Sequence, residues 1–377
     1  MKPFQLAVLS LSLTSLSPLF AQPPVPAGGI VYASGLEGPR GLIFGPDGLL
    51  YIAEAGHGGT QATPANCLAV PPPVGPYKGG PNARISRVES NGIRTTVVSG
   101  LPSGVGAGGD TVGVASVAFL DGNLYALVAG GGCSHGNAMA PNGVYRIDRT
   151  KGTADLIANL SDFFNKNTVS HPERGDFESD GTPYDMKAVN GQLVVVEPNH
   201  GRLLRISTAG VIEQLTDISA PLGHIVPTAA AWRDGRYYVG MLGGFPISVG
   251  SANLYQISAE GHVLDYWLGF TTILGVEVDK ENRLYILEFS RKAGFPDVGL
   301  GRVLRITGGV VEEIITGLNV PTSLIVGPDG AIYVSDLGAA PAGAGRILRF
   351  ANPVTGRKLS TDELKTKRSF GLAREDQ

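Results

Sequence analysis

Much of what would mark a chain as an enzyme or a nucleic-acid binder is missing here. Among 377 residues there are two cysteines and six histidines, and the formal charge is only −3. That balance leaves no electrostatic case for nucleic acid. Cys67 and Cys133 stand far apart, so the close Cys-x-x-Cys spacing of a zinc site is absent. There is no Gly-x-Ser-x-Gly elbow, no His-Glu-x-x-His and no P-loop. Gly104-Val-Gly-Ala-Gly-Gly109 fits G-x-G-x-x-G by letter, but no helical pattern follows it. A Ser/His/Asp triad assembled from distant loops is not excluded by these absences. Beyond the first 21 residues, no run is apolar enough to span a bilayer.

Glycine and proline are what the chain has in quantity. The 54 Gly and 26 Pro, without a collagen period, fit a turn-dense all-β protein. Residues 1–21 read as a secretory signal peptide: Lys2, then an apolar stretch from Phe4 to Leu19 broken by Ser and Thr, then Ala21. The expectation is an exported protein, periplasmic or extracellular, with no transmembrane segment in the mature chain. Residues 22–29 read as a Pro-rich linker.

Six segments then repeat one pattern over 30–350. Each has a hydrophobic strand, a Gly/Asp/Asn turn, a strand centred on Tyr, a loop and Arg-x-x-Arg-hydrophobic. The clearest copies are Pro39-Arg-Gly-Leu-Ile-Phe-Gly-Pro-Asp-Gly-Leu-Leu-Tyr51 and Pro321-Thr-Ser-Leu-Ile-Val-Gly-Pro-Asp-Gly-Ala-Ile-Tyr333. A period of this length with four short strands per unit predicts a six-bladed β-propeller. The strands of each blade are labelled a to d from the axis outward. Blade 6 lacks its own strand d. Ser34-Gly-Leu36 before Pro39 matches Thr316-Gly-Leu318 before Pro321. The first strand, 30–36, is therefore expected to join the last blade near Ile347–Phe350 and close the ring. Residues 351–377 are charged and poor in large apolar groups, and read as a mobile tail with a short helix near Thr361–Arg368.

Loop lengths divide the two faces. The a–b and c–d turns are short. The b–c loops Gly56–Asn82 and Gly130–Asn142 and the d–a connections Gly100–Gly113 and Ser161–Pro183 are long, and all leave by one face. His57, His135, His171, His200 and His224 fall on that face. The even cysteine count predicts a Cys67–Cys133 disulfide, since both lie at matching places in blades 1 and 2. A metal site with His57 and His135 is the lesser reading.

The opening Pro-x-Gly-Leu-x-Phe-Gly-Pro-Asp-Gly-x-Leu-Tyr-x-Ala-Glu-x-Gly resembles the exported ScyD/ScyE-type proteins, a branch of the NHL-like propellers. The resemblance covers 30–350 and implies a six-bladed ring but no defined reaction. More distantly the ring is similar to the calcium-dependent gluconolactonases, whose metal ligands have no clear counterpart here.

Two sets of charged residues stand out. An acid ends strand b in four blades, and those same four carry Arg at the first position of Arg-x-x-Arg. The expected pairs are Glu54–Arg84, Glu197–Arg202, Glu288–Arg302 and Asp336–Arg346. Blades 2 and 4 have Val128 with Gly143 and Met241 with Asn253 instead. Second, Asp185, Lys187 and Glu277 interrupt inner strands. They read either as a structural pair or as a binding site at the channel mouth with Arg40, Tyr184, His200 and His224. The acidic run around Asp176, Glu178 and Asp180 has the oxygen-rich spacing of a calcium loop or of a solvated one. No other cofactor is indicated.

The leading functional reading is a propeller that binds a small molecule or protein partner through its loop-rich face. The alternatives are a metal-dependent hydrolase or lactonase at the channel mouth, and a scaffold in a cell-envelope assembly. Whether the chain is an enzyme is left open.

Overall fold

The computed structural model describes residues 22–89, 92–169, 172, 175–293, 297–351 and 356–360. The signal-peptide stretch 1–21, His171 and the helix expected at 361–368 lie outside them. The described residues form six antiparallel sheets around a central axis, a six-bladed β-propeller as expected. Blade 1 begins at Pro39–Phe44, and blades 2 to 6 begin at Val114–Leu120, Asp185–Val189, Pro227–Arg233, Ile273–Val278 and Ser323–Val326. These inner strands contact one another in sequence, and the first meets the sixth.

The repeated Asp and Tyr have a local cause. In the Gly-Pro-Asp-Gly turn Asp47 accepts the Leu49 N–H and, 2.8 Å away, the Tyr51 hydroxyl. Asp329 does the same for Ala331 and Tyr333. The spacing of four ties each turn to the strand it launches. Gly45 and Gly327 lie against those tyrosine rings, where a Cβ would stand 2.7 and 2.6 Å from the ring edge. Strand b is buried throughout in blades 1, 5 and 6, so the hydrophobic cores lie between successive sheets.

Ring closure is as the sequence indicates. Gly29–Leu36 pairs antiparallel with Gly345–Phe350 of blade 6, Gly29 opposite Phe350 and Leu36 opposite Gly345. Two segments make contacts that the sequence did not indicate. In the linker 22–29 the Pro23 and Pro24 carbonyls accept hydrogen bonds from Arg346, and Val25 packs on the blade 5–6 core. Within the tail, residues 356–360 lie against the ring. There Arg357–Lys358 adds a fifth strand to the outer edge of blade 5, opposite Glu312 and Glu313, and Leu359 reaches the blade 4–5 core. Opposite charges across that edge favour the pairing.

The loop-rich face also has more structure than expected. Strands Lys78–Val88 and Arg94–Val105 of blade 1 run on past the ring as a two-stranded ribbon. Thr111–Val112 adds to it, so more than half of the 100–113 connection is strand. The 161–183 connection opens with helix Leu160–Lys166, capped by the Asn159 side chain on the Asp162 N–H.

Candidate functional site

The four acids that end strand b have no exposed surface. Each accepts a backbone N–H from the d–a connection that enters its blade: Glu54 from Glu37 at 2.8 Å, Glu197 from Thr182 at 2.7 Å, Glu288 from Thr271 at 2.5 Å and Asp336 from Asn319 at 2.6 Å. Three also meet their arginine. Arg84–Glu54 is 2.8 Å, Arg302–Glu288 2.5 Å and Arg346–Asp336 2.8 Å. The fourth expected pair does not form. Glu197 takes the backbone N–H groups of Asn199 and His200 in the tight turn that follows it. Arg202 turns to the Asn167 and Thr168 carbonyls, with Asp217 at 3.7 Å. These acids are therefore internal ties between connection and blade.

At the axis, Lys187 Nζ stands between two carboxylates, 3.3 Å from Glu277 and 3.8 Å from Asp185. Asp185 also accepts the Ser116 hydroxyl and the Ala230 N–H, so it links the inner strands of blades 2, 3 and 4. Burial lowers the affinity of the Lys187 amine for its proton, but the two carboxylates outweigh burial and hold its pKa above the usual lysine value. The remaining space beside Tyr184 and Lys187 is about 10 Å³, the size of one water position. The Tyr184 hydroxyl donates to the Thr322 carbonyl and Arg40 to the Thr111 carbonyl. A metal between Asp185 and Glu277 would have to displace the ammonium already there.

The structure does not bring the seven channel-mouth candidates together. Arg40, Tyr184, Asp185, Lys187 and Glu277 gather at the axis. His224 lies outward, 3.2 Å from Asp176. His200 is buried between the Phe164 and Phe177 rings, its Nε2 3.1 Å from the Glu178 carbonyl. Asp176, Glu178 and Asp180 do not converge either. Asp176 faces His224, Glu178 faces His135 at 2.6 Å, and Asp180 accepts the Ser134 N–H and hydroxyl. Among the described residues no three His, Cys, Asp or Glu side chains are placed to share a metal. His57 pairs with Glu37 at 2.9 Å, away from His135.

His135 is the centre of the cap on this face, and the sequence did not single it out as more than a lesser metal candidate. It is fully buried, its Nδ1 2.6 Å from the Gly131 carbonyl, with the Tyr77 ring edge-on at 4.7 Å. It joins loops from blades 1, 2 and 3. Burial pulls the imidazole pKa down, but the hydrogen bond and charge of Glu178, with the Gly131 carbonyl and Asp180, outweigh it and raise the pKa above the ordinary value. A folded-state pKa above the unfolded value of about 6.5 stabilises the fold below that pH. This contribution is lost as pH rises through the folded value. The melting temperature should therefore fall with rising pH from about 6.5 upward, and His135→Gln should flatten that part of the profile. Identical profiles for the two proteins would remove His135 as the cause.

Two residues from His135, Cys133 is disulfide-bonded to Cys67, with Cα atoms 5.8 Å apart. The bridge holds the blade 1 loop beside the blade 2 loop. Next to it, Leu68, Ala69 and Pro71 form one wall of a cleft of about 500 Å³, and Val169, Pro172 and Phe177 from the blade 3 approach form the other. A second, more polar cleft of about 260 Å³ opens at blade 4, lined by His224, Ile225, Met241, Ser251, Asn253 and Tyr255. The cysteine pairing was the only signal in the sequence pointing toward the first cleft.

No protein-family profile and no curated protein sequence matches the chain. Solved structures match in fold. A Bacteroides thetaiotaomicron VPI-5482 protein of unknown function superposes with a TM-score of 0.54 at 12% identity, covering 86% of this chain and 75% of that one. A gluconolactonase from Xanthomonas campestris gives 0.51 at 11% identity over 85% and 89%. A putative oxidoreductase (glucose dehydrogenase) from Thermus thermophilus gives 0.52 at 17% over 85% and 98%. The class is thus the six-bladed β-propeller. At these identities the likeness concerns the fold alone. No helix of the described residues is long and apolar enough to cross a membrane.

Proposed function

We propose that this chain is an exported binding propeller of the ScyD/ScyE-like kind that takes a small apolar molecule on its loop-rich face. The supporting observation is the cleft between the blade 1 and blade 3 loops. Its volume of about 500 Å³ lies within the range of small-molecule sites, and its walls are almost wholly apolar. Leu68 on its rim is 60% exposed and continues the apolar walls, so the exposed apolar surface here is a patch and not a single side chain. The disulfide and the His135–Glu178 contact anchor its two walls, which lowers the ordering cost of binding. Export accords with that disulfide. The gluconolactonase likeness adds no reaction, because the axis carries a Lys187 bridge in place of open ligands.

The test uses 8-anilinonaphthalene-1-sulfonate as an apolar probe. Saturable binding near one probe per chain is expected. Leu68→Asp, which removes apolar contact and repels the sulfonate, should weaken it at least tenfold, about 1.4 kcal/mol, with the melting temperature unchanged because the side chain is exposed. Equal binding by the variant would rule out this cleft.

A further inference from the structure

Blade 4 is built with one part missing, and the other blades show what that part is. In blades 1, 3, 5 and 6 the carboxylate ending strand b accepts the N–H of a residue two to four positions before strand a: Glu37, Thr182, Thr271 and Asn319. Strand register places Ile225 at this position in blade 4, because Pro227 pairs with Met241 as Pro39 pairs with Glu54. The local backbone is also alike. Gly38, Val320 and Val226, each one residue further on, all have positive φ, at 60°, 39° and 55°. In blade 4 the acid is replaced by Met241 and the arginine by Asn253. The Ile225 N–H has no hydrogen-bond partner among the described residues. Blade 2 also lacks the acid and the arginine, but there Val112, at the same place, is paired with Gly104 in the ribbon.

The space left by the missing pair is the polar cleft of about 260 Å³ bordered by Ile225, Met241 and Asn253. A half-buried N–H without an acceptor is costly unless water or a ligand supplies one. We propose that this cleft is a binding site for a small carboxylate, whose carboxyl group takes the place that Glu54, Glu197, Glu288 and Asp336 fill in their own blades. The donors are the Ile225 N–H and the second N–H of the Asn253 amide, which stands in the guanidinium's place and gives its first N–H to the Tyr255 hydroxyl at 3.1 Å; the Ser251 hydroxyl on the same wall is already given to the Ser248 carbonyl. Asn253 donates without charge, and His224 in the wall already faces Asp176 at 3.2 Å, so the carboxylate is recognised by neutral donors. Gly243 and Gly244 leave the opening clear. A Cβ on Gly244 would come within 3.4 Å of the His224 carbonyl. This site is separate from the apolar cleft between blades 1 and 3 and stands without it.

The experiment follows the Ile225 amide by ¹⁵N–¹H NMR while sodium acetate is added at ionic strength matched with sodium chloride. A saturable shift of that amide, absent with chloride alone, is expected. In M241E/N253R the restored internal pair should move the amide to its acetate-bound position without acetate and weaken the response at least tenfold. An Ile225 amide indifferent to acetate overturns the proposal, as does a folded double variant that responds like the wild type. If the double variant does not fold, the wild-type titration decides alone.

Discussion

A chain lacking residues 22–36 will not hold the ring. Those residues supply the outer strand of blade 6, the carbonyls of Pro23 and Pro24 for Arg346, and the buried Ala33 and Leu36 of the blade 6–1 core. Their loss exposes the hydrogen-bonding edge of Gly345–Phe350 and frees the seam between first and last blades. The expected cost exceeds about 5 kcal/mol, the scale of a whole domain's stability. Far-UV circular dichroism and size-exclusion chromatography should report an unfolded or associated chain. A synthetic peptide of residues 22–36 should restore the native spectrum by strand addition. A truncated protein that melts within a few degrees of the full chain would show that closure lies elsewhere.

The second large effect is expected at Asp336, which with Arg346 forms the most deeply buried of the strand-end pairs. Burial raises the Asp336 pKa in spite of Arg346 and the Asn319 N–H, so the carboxylate gains less from its partners than it loses with water. Such a pair adds little net stability, but it cannot be half removed. Asp336→Ala leaves Arg346 charged in the core and the Asn319 N–H without its acceptor, at a cost of about 3–5 kcal/mol. Asp336→Leu combined with Arg346→Met should recover most of that loss in urea denaturation. The double variant should also free the 22–26 segment, visible as faster proteolysis there. A single variant within about 1 kcal/mol of the wild type would mean that water reaches the guanidinium.

What could be read from the sequence was whatever repeats. The Tyr of strand b, the Asp–Gly turn and the Ser-Gly-Leu match each recur, so six blades and the closing strand follow without tertiary knowledge. The carboxylate–arginine columns could be read for the same reason. They failed at Glu197 because one tight turn presents backbone N–H groups that no residue identity announces. The Pro-rich 22–29 segment read as a linker because prolines offer nothing to a ladder. Their carbonyls nonetheless suit a buried guanidinium with donors to spare. The ribbon over 78–83 and 100–105 was missed because its glycines and proline erase the alternation of a strand. His135 and the apolar cleft depend on three loops meeting, and nothing within any one loop encodes that. The axial charges were visible, whereas their mutual neutralisation was a matter of geometry.

The closing pairing has a mechanical side. Gly29 lies opposite Phe350, so the chain enters and leaves this ladder from the same end. Force applied between the two ends of the chain first strips the two-residue pairing at Arg357–Lys358 and the Pro23 and Pro24 hydrogen bonds with Arg346, then runs along the ladder's hydrogen bonds, which lie across the strands. Those bonds break one at a time, as in a zipper, and never share the load in shear. The seam that holds the ring against heat is thus its weakest line under tension. A protein tethered at both ends would open between blades 6 and 1 while every other blade remained whole.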